Sequence, residues 1–160
     1  MSKNYYSLGL MSGTSMDGVD VSIIKSDGDI EFKGIFNKYF EYSDDFSKKI
    51  LKIRDKINNT KDLNLYSKEL NNIEKEITLF HAKVTNEAIK EVNSNIDIIG
   101  FHGQTIFHSA KEMVSKQLGD GKLLSQETKK KVVYDFRQND LKNGGEGAPL
   151  APIFHKLISK

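Results

Sequence analysis

Apolar positions recur with a period of two near the start of the chain and with a period of three to four further along. Tyr5 to Met11 reads as a first strand. Val19, Val21 and Ile23 point one way and Asp20 and Ser22 the other, so Val19 to Ile24 reads as a second strand. The seven residues between them suit an antiparallel hairpin. Asp27-Gly28 marks a turn and Ile30 to Tyr39 a third strand, which completes a meander. Ser43 then stands as an N-cap before Asp44 and Asp45, and Phe46, Ile50, Ile53 and Ile57 follow at helical spacing. Asn58-Asn59-Thr60 breaks that helix. A longer one is expected from Leu63 to Val92, with Leu70, Ile73, Ile77, Phe80, Val84 and Ala88 on its buried face. Lys68, Glu69, Glu74, Lys75 and Lys90 fall on the opposite, solvated face.

Ile96 to Phe101 is a short apolar run that suits a buried strand, and it ends in His102-Gly103-Gln104-Thr105. Gly119-Asp120-Gly121 is a turn, and Leu123 to Thr128 a short helix. Lys131 to Phe136 is a further strand that runs into Asp135-Phe136-Arg137. The glycine-rich loop Asn143 to Pro149 leads into an apolar helix start. Strands and helices in this order predict one α/β lobe with a mixed sheet over residues 1–160.

Composition narrows the function. Hydrophobic residues make up 38% and charged residues 29%, the balance of an ordinary globular chain. A net charge of +2 gives no concentrated basic face, so a nucleic-acid partner is not expected. No stretch approaches the roughly 18 apolar residues of a membrane span, and the start lacks a signal-peptide core, so a cytoplasmic protein with no membrane partner is expected. Cysteine is absent, which excludes disulfides and thiolate metal sites. Of the 24 basic residues 22 are lysines. That background draws attention to Arg137, since a guanidinium fork binds carboxylate or phosphate bidentately.

Polar, glycine-rich sequence recurs where the strands end: SGTSMDG, HGQT, DFR and NGGEGAP. Ligand crevices of open α/β sheets lie outside the strand ends, so four such loops point to one site. In the first, Gly13 and Gly18 permit tight turns, and Ser12, Thr14 and Ser15 add short donors. Backbone N–H groups and hydroxyls in this density suit phosphate oxygens, and Asp17 calls for Mg²⁺ beside them. The spacing is not that of a P-loop and no lysine follows. An ordinary hairpin loop has the same composition. Gln104 and Thr105 suit a sugar or polyol. His102 and His108 are six apart with no carboxylate beside them, a poor metal signature. Asp135 and Arg137 lie two apart on a strand and so face the same side, either as a local ion pair or with the arginine aimed into the crevice. Glu146, among Gly144, Gly145 and Gly147, reads equally as a plain loop charge.

The segments GLMSGTSMDGVDV, GFHGQTIFH, QLGDGKLL and DFRQNDLKNGGEGAPLAPIFH resemble the successive signature blocks of anhydro-N-acetylmuramic acid kinases. They run in the family's order from residue 9 to residue 155. The resemblance implies the actin-like/sugar-kinase (ASKHA) architecture, here as a first lobe with the second lobe absent, and ATP and Mg²⁺ as cofactors. It implies that 1,6-anhydro-N-acetylmuramic acid and water become N-acetylmuramic acid 6-phosphate in cell-wall sugar recycling. It makes Gly13, Thr14, Ser15, Met16, Asp17, Gly18, Val19 and Asp20 the ATP phosphate-binding hairpin, with Asp17 on the metal side. Gln104, Thr105 and Arg137 become contacts of the sugar or its lactyl carboxylate. The family's catalytic base, the Asp of a D-T-G-P-G-N-like motif, has no counterpart in this sequence. The resemblance therefore implies an N-terminal lobe apparently truncated at its C-terminal end and inactive alone, compatible with a homodimer when full length. The alternative is a non-catalytic sugar- or phosphate-binding module of the same fold. As a first lobe, the chain is expected to expose apolar surface near Ile153, Phe154, Leu157 and Ile158.

Overall fold

The computed structural model describes residues 3–159, with the side chains of Ile153, Leu157 and Ile158 outside the description. Three strands open it: β1 (Tyr5–Ser12), β2 (Gly18–Ser26) and β3 (Phe32–Glu41). They form the expected antiparallel meander, from Tyr5 opposite Ser26 to Met11 opposite Asp20 and on to β3. Three helices follow: α1 (Asp44–Arg54), α2 (Thr60–Leu65) and α3 (Ser67–Val92). Then come β4 (Ile98–Ser109), β5 (Val114–Leu118), α4 (Gly121–Thr128), β6 (Lys131–Tyr134), α5 (Phe136–Lys142) and α6 (Pro152–Ile158).

The sheet runs β3-β2-β1-β4-β5, with β6 also paired to β4. Strands β1, β4 and β6 are mutually parallel, so their carboxyl ends lie at one end of the lobe. The first half of β4 sits between β1 and β6, and its second half turns back on β5. Alternation along β1 and β2 places Leu8, Leu10, Val19, Val21 and Ile23 on the helical side of the sheet, all buried. They pack with Ile50 and Ile53 of α1, Ile73 and Ile77 of α3, and Leu124 of α4 in one core.

Four expectations need correction. The helix expected over Leu63 to Val92 is two helices divided at Tyr66, because Asn59 and Asp62 form a capping box that starts α2 early. The strand ending at Phe101 continues to Ser109. Gly103, at φ +73°, reverses the inside–outside alternation there, so the two-residue period breaks and the continuation is hidden. The strand over Lys131 to Phe136 stops at Tyr134. Asp135, at φ +63°, turns the chain into α5, which places Arg137 on a helix rather than on a strand beside Asp135. Finally, Glu74 is not on a solvated face. Its side chain is only 21% exposed, and its Oε1 accepts from Lys116 Nζ at 2.9 Å and from the Gly119 amide at 3.2 Å. Near the C-terminus Phe154 is exposed and meets Phe32 edge-on, while the other three apolar positions named there fall outside the described side chains.

Candidate functional site

The β1–β2 loop, residues 13–17, lies at the carboxyl end of β1. The Met16 amide closes a turn by donating to the Gly13 carbonyl at 3.2 Å. Met16 takes φ +58° and buries its side chain to 1% exposure, so it anchors the loop in the core and offers a ligand only its backbone. Val19 is equally buried, and Asp20 is exposed on the outward side of β2. Gly13, Thr14 and Ser15 stand at the turn, with Gly13 backed by no atom closer to an added Cβ than Ser15 Oγ at 3.5 Å. Gly18 is different: a Cβ there would lie 2.5 Å from the Phe40 carbonyl. Ser15 Oγ donates to Asp17 Oδ1 at 2.5 Å. That bond holds the exposed Asp17 carboxyl below its ordinary range, so the loop presents a fixed negative charge.

Gln104 comes to the same place from β4. The reversal at Gly103 turns its side chain inward, where it is completely buried and Nε2 donates to the Gly13 carbonyl at 2.8 Å. Its Oε1 is buried without a partner among the described residues. Gln104 therefore braces the loop and offers no exposed edge to a solute. Thr105 is half-buried and accepts from Gln117 Nε2 at 3.3 Å.

Arg137 reaches the middle of β4 from α5. Its Nε donates to His102 Nε2 at 2.8 Å, and Nη1 to the Gly147 carbonyl at 3.2 Å. His102 Nδ1 lies 2.7 Å from the Gly103 carbonyl, which fixes the proton on Nδ1 and leaves Nε2 as acceptor. Burial pushes the His102 pKa down and the Arg137 charge adds to this, so the ring is neutral. The glycine-rich segment joins the cluster: the Gly147 amide donates to Asp140 Oδ2 at 2.8 Å, and Gly147 takes φ +74°. Beside this group lies a cavity of about 360 Å³, lined in part by Glu74, His102, Ser115, Gln117, Asp135 and Gln138. No group of three or more His, Cys, Asp or Glu side chains forms a metal site among the described residues.

Two residues of the region, Tyr42 and His81, went unnoticed in the sequence, and Ser12, expected among the loop's donors, is buried beneath the loop instead. Ser12 Oγ lies 2.8 Å from His81 Nε2 and 3.3 Å from Tyr42 Oη, all three buried. The signal for His81 was present: it stands four residues after Ile77 and three before Val84, on the apolar face of α3.

These features define an α/β lobe with a mixed sheet, whose polar loops gather where its parallel strands end. The family model for anhydro-N-acetylmuramic acid kinase matches residues 5–160, and the chain belongs to that family. Relatives carrying that name include one from Pelagibacter ubique, 61% identical over 99% of the chain. Others come from Brucella canis and Agrobacterium fabrum, each 38% identical over 95% of it. The chain spans 42% of the length of each of these relatives. No helix among the described residues is long and apolar enough to cross a membrane.

Proposed function

We propose that this lobe is the N-terminal lobe of an ATP-dependent kinase that converts 1,6-anhydro-N-acetylmuramic acid and water to N-acetylmuramic acid 6-phosphate. The observation that carries the reading is the convergence of residues 13–17, Gln104 and Arg137 where β1 and β6 end beside the middle of β4. Gly13 to Asp20 would receive the nucleotide phosphates through backbone N–H groups of the loop and the Thr14 hydroxyl, while the Ser15 hydroxyl holds Asp17 in place. Asp17 fits Mg²⁺: a lone, exposed, ionised carboxylate suits a cation that keeps several waters and shares phosphate oxygens. Arg137 keeps N–H donors beyond those given to His102 and Gly147, and its fork suits the lactyl carboxylate. Thr105, next along β4, would reach the sugar from beside Gln117, and Gln104 acts on the ligand through the Gly13 carbonyl it holds.

In the whole enzyme a base takes a proton from water, and the water oxygen bonds to the anomeric carbon as the bond from that carbon to O6 breaks. O6 then bonds to the γ-phosphorus and ADP leaves. Such catalysis is mostly positioning and charge neutralisation. The base belongs to a motif outside these 160 residues, so this chain alone releases no ADP. A cytoplasmic location, a role in cell-wall sugar recycling and pairing of two full-length copies belong to the same proposal.

Calorimetry with the anhydro sugar and with MgATP, run separately on the wild type and on Arg137→Lys, tests the assignment. The substitution is expected to weaken sugar binding at least tenfold, about 1.4 kcal/mol, and to leave MgATP binding within twofold. Equal losses, or none, overturn the role of Arg137. ADP release that depends on the anhydro sugar from this chain alone overturns the claim that the base lies elsewhere.

A further inference from the structure

Residues 13–17 have a polar foundation beneath them that the phosphate-binding reading does not use. Ser12, the last residue of β1, is 1% exposed. Its hydroxyl lies between His81 of α3 and Tyr42, which follows β3. The hydrogen-bond directions follow from chemistry. His81 Nδ1 lies 2.8 Å from the Ile77 carbonyl, which can only accept, so Nδ1 carries the proton. Nε2 is then an acceptor, and Ser12 Oγ must donate to it. The Ser12 oxygen is left to accept from the Tyr42 hydroxyl. Tyr42 closes the other side of the loop, because its amide donates to the Asp17 carbonyl at 2.7 Å. Its ring packs edge-on against Phe46 and Phe80, at 5.0 and 4.8 Å between centroids.

The relay Tyr42 → Ser12 → His81 → Ile77 thus ties both ends of the loop to α3. Burial pushes the Tyr42 hydroxyl up to about 12 and the His81 ring down to about 4, so the relay is uncharged at neutral pH. A buried chain in which each donor has an acceptor is rigid, and its loss leaves unpaired groups. A serine–histidine pair so placed is no nucleophile: Ser12 is sealed from solute, and the histidine faces a carbonyl in place of a carboxylate.

We propose that Ser12, Tyr42 and His81 are positioning residues that hold residues 13–17 in the conformation a nucleotide phosphate meets. This rests on the phosphate-binding reading of that loop. Two variants of the 160-residue chain test it. Tyr42→Phe removes one oxygen and keeps the ring packing, and Ser12→Ala removes the hub of the relay. The first measurement is amide hydrogen exchange, which needs no ligand. The Met16 and Tyr42 amides are expected to exchange at least about fivefold faster in both variants, the loss of a buried hydrogen bond, while the Leu10 and Val21 amides keep their wild-type rates. The second is calorimetry, where MgATP binding weakens by a similar factor and binding of the anhydro sugar stays within twofold.

Unchanged exchange at Met16 and Tyr42, or acceleration shared equally with the strands, overturns the inference, since the relay then has no role peculiar to the loop. Selective acceleration in the loop with unchanged MgATP affinity overturns it as well. Wild-type chain that does not bind MgATP at all defeats the phosphate-binding reading and the ligand half of the inference together. The exchange result would then still report whether the relay holds the loop.

Discussion

Gly13 and Gly18 bound the same loop, and an added methyl group meets different surroundings at the two. At Gly18 it would lie 2.5 Å from the Phe40 carbonyl, which is backbone and cannot swing away without disturbing the β2–β3 pairing. Gly18→Ala is therefore expected to cost about 1–3 kcal/mol in thermal or denaturant unfolding, the range of overpacked sites. At Gly13 the nearest atom is Ser15 Oγ at 3.5 Å, an ordinary contact, and the backbone is not left-handed. Gly13→Ala is expected to stay within about 0.5 kcal/mol of the wild type. If Gly13 is small because a phosphate approaches its backbone, the same variant binds MgATP less tightly while remaining as stable. A Gly18→Ala chain as stable as the wild type would show that the β2–β3 edge yields, and would remove the steric account of that residue. A Gly13→Ala chain with unchanged MgATP affinity would leave Gly13 as an ordinary turn residue.

Elements in this lobe are legible where one period runs unbroken, and hidden where a single residue interrupts it. β1, β2 and α1 follow from alternation and from the Ser43 cap, which accepts from the Phe46 amide. The second half of β4 is hidden by Gly103, whose left-handed backbone changes which residues face inward. α5 is hidden by Asp135 in the same conformation, and with it the true setting of Arg137. That SGTSMDG and DFR share one end was readable, because they follow the parallel strands β1 and β6; HGQT was expected to follow a strand in the same way and lies within β4. The partners within the site were not, because His102, Gln104 and Gly147 meet Arg137 and Gly13 only through the left-handed turns at Gly103 and Asp135. Glu74 shows the same limit for charge: on a helical wheel it is solvated, yet β5 folds over it. Its carboxylate ties α3 to the β5–α4 turn, since the Gly119 amide has it as acceptor. Glu74→Ala is expected to cost about 1–3 kcal/mol, by leaving that partly buried amide unpaired, and Lys116→Ala no more than about 1 kcal/mol. Equal losses in urea unfolding would mean that the ion pair, and not the amide, carries the joint.

For the molecule as a whole, His81 links the core to pH. Its ring meets Ile77, Phe101 and Ser12, and burial drives its pKa from the ordinary 6.5 to about 4. Between those two values the unfolded chain binds a proton that the folded chain refuses. Stability therefore rises with pH across the window: it is complete above about 6.5 and is lost as pH falls toward 4. The full contribution is on the order of 3 kcal/mol, of which about 2 kcal/mol is gone by pH 5. His102 is shifted the same way and adds to the same limb. The lowered carboxyls of Asp17 and Asp27 act below about pH 4, outside this window. Urea unfolding at pH 7.5 and at pH 5.0 should show the loss in the wild type. His81→Gln, which keeps an acceptor for Ser12 and does not titrate, should lose most of it, and His102→Gln a smaller share. An acid limb as steep in His81→Gln as in the wild type would refute the buried neutral ring. Where the limb begins follows from the relay: a second proton on His81 occupies Nε2, the atom to which Ser12 donates. That bond breaks first, so acid should loosen residues 13–17 before the sheet, and the Met16 amide should lose exchange protection at a higher pH than Leu10.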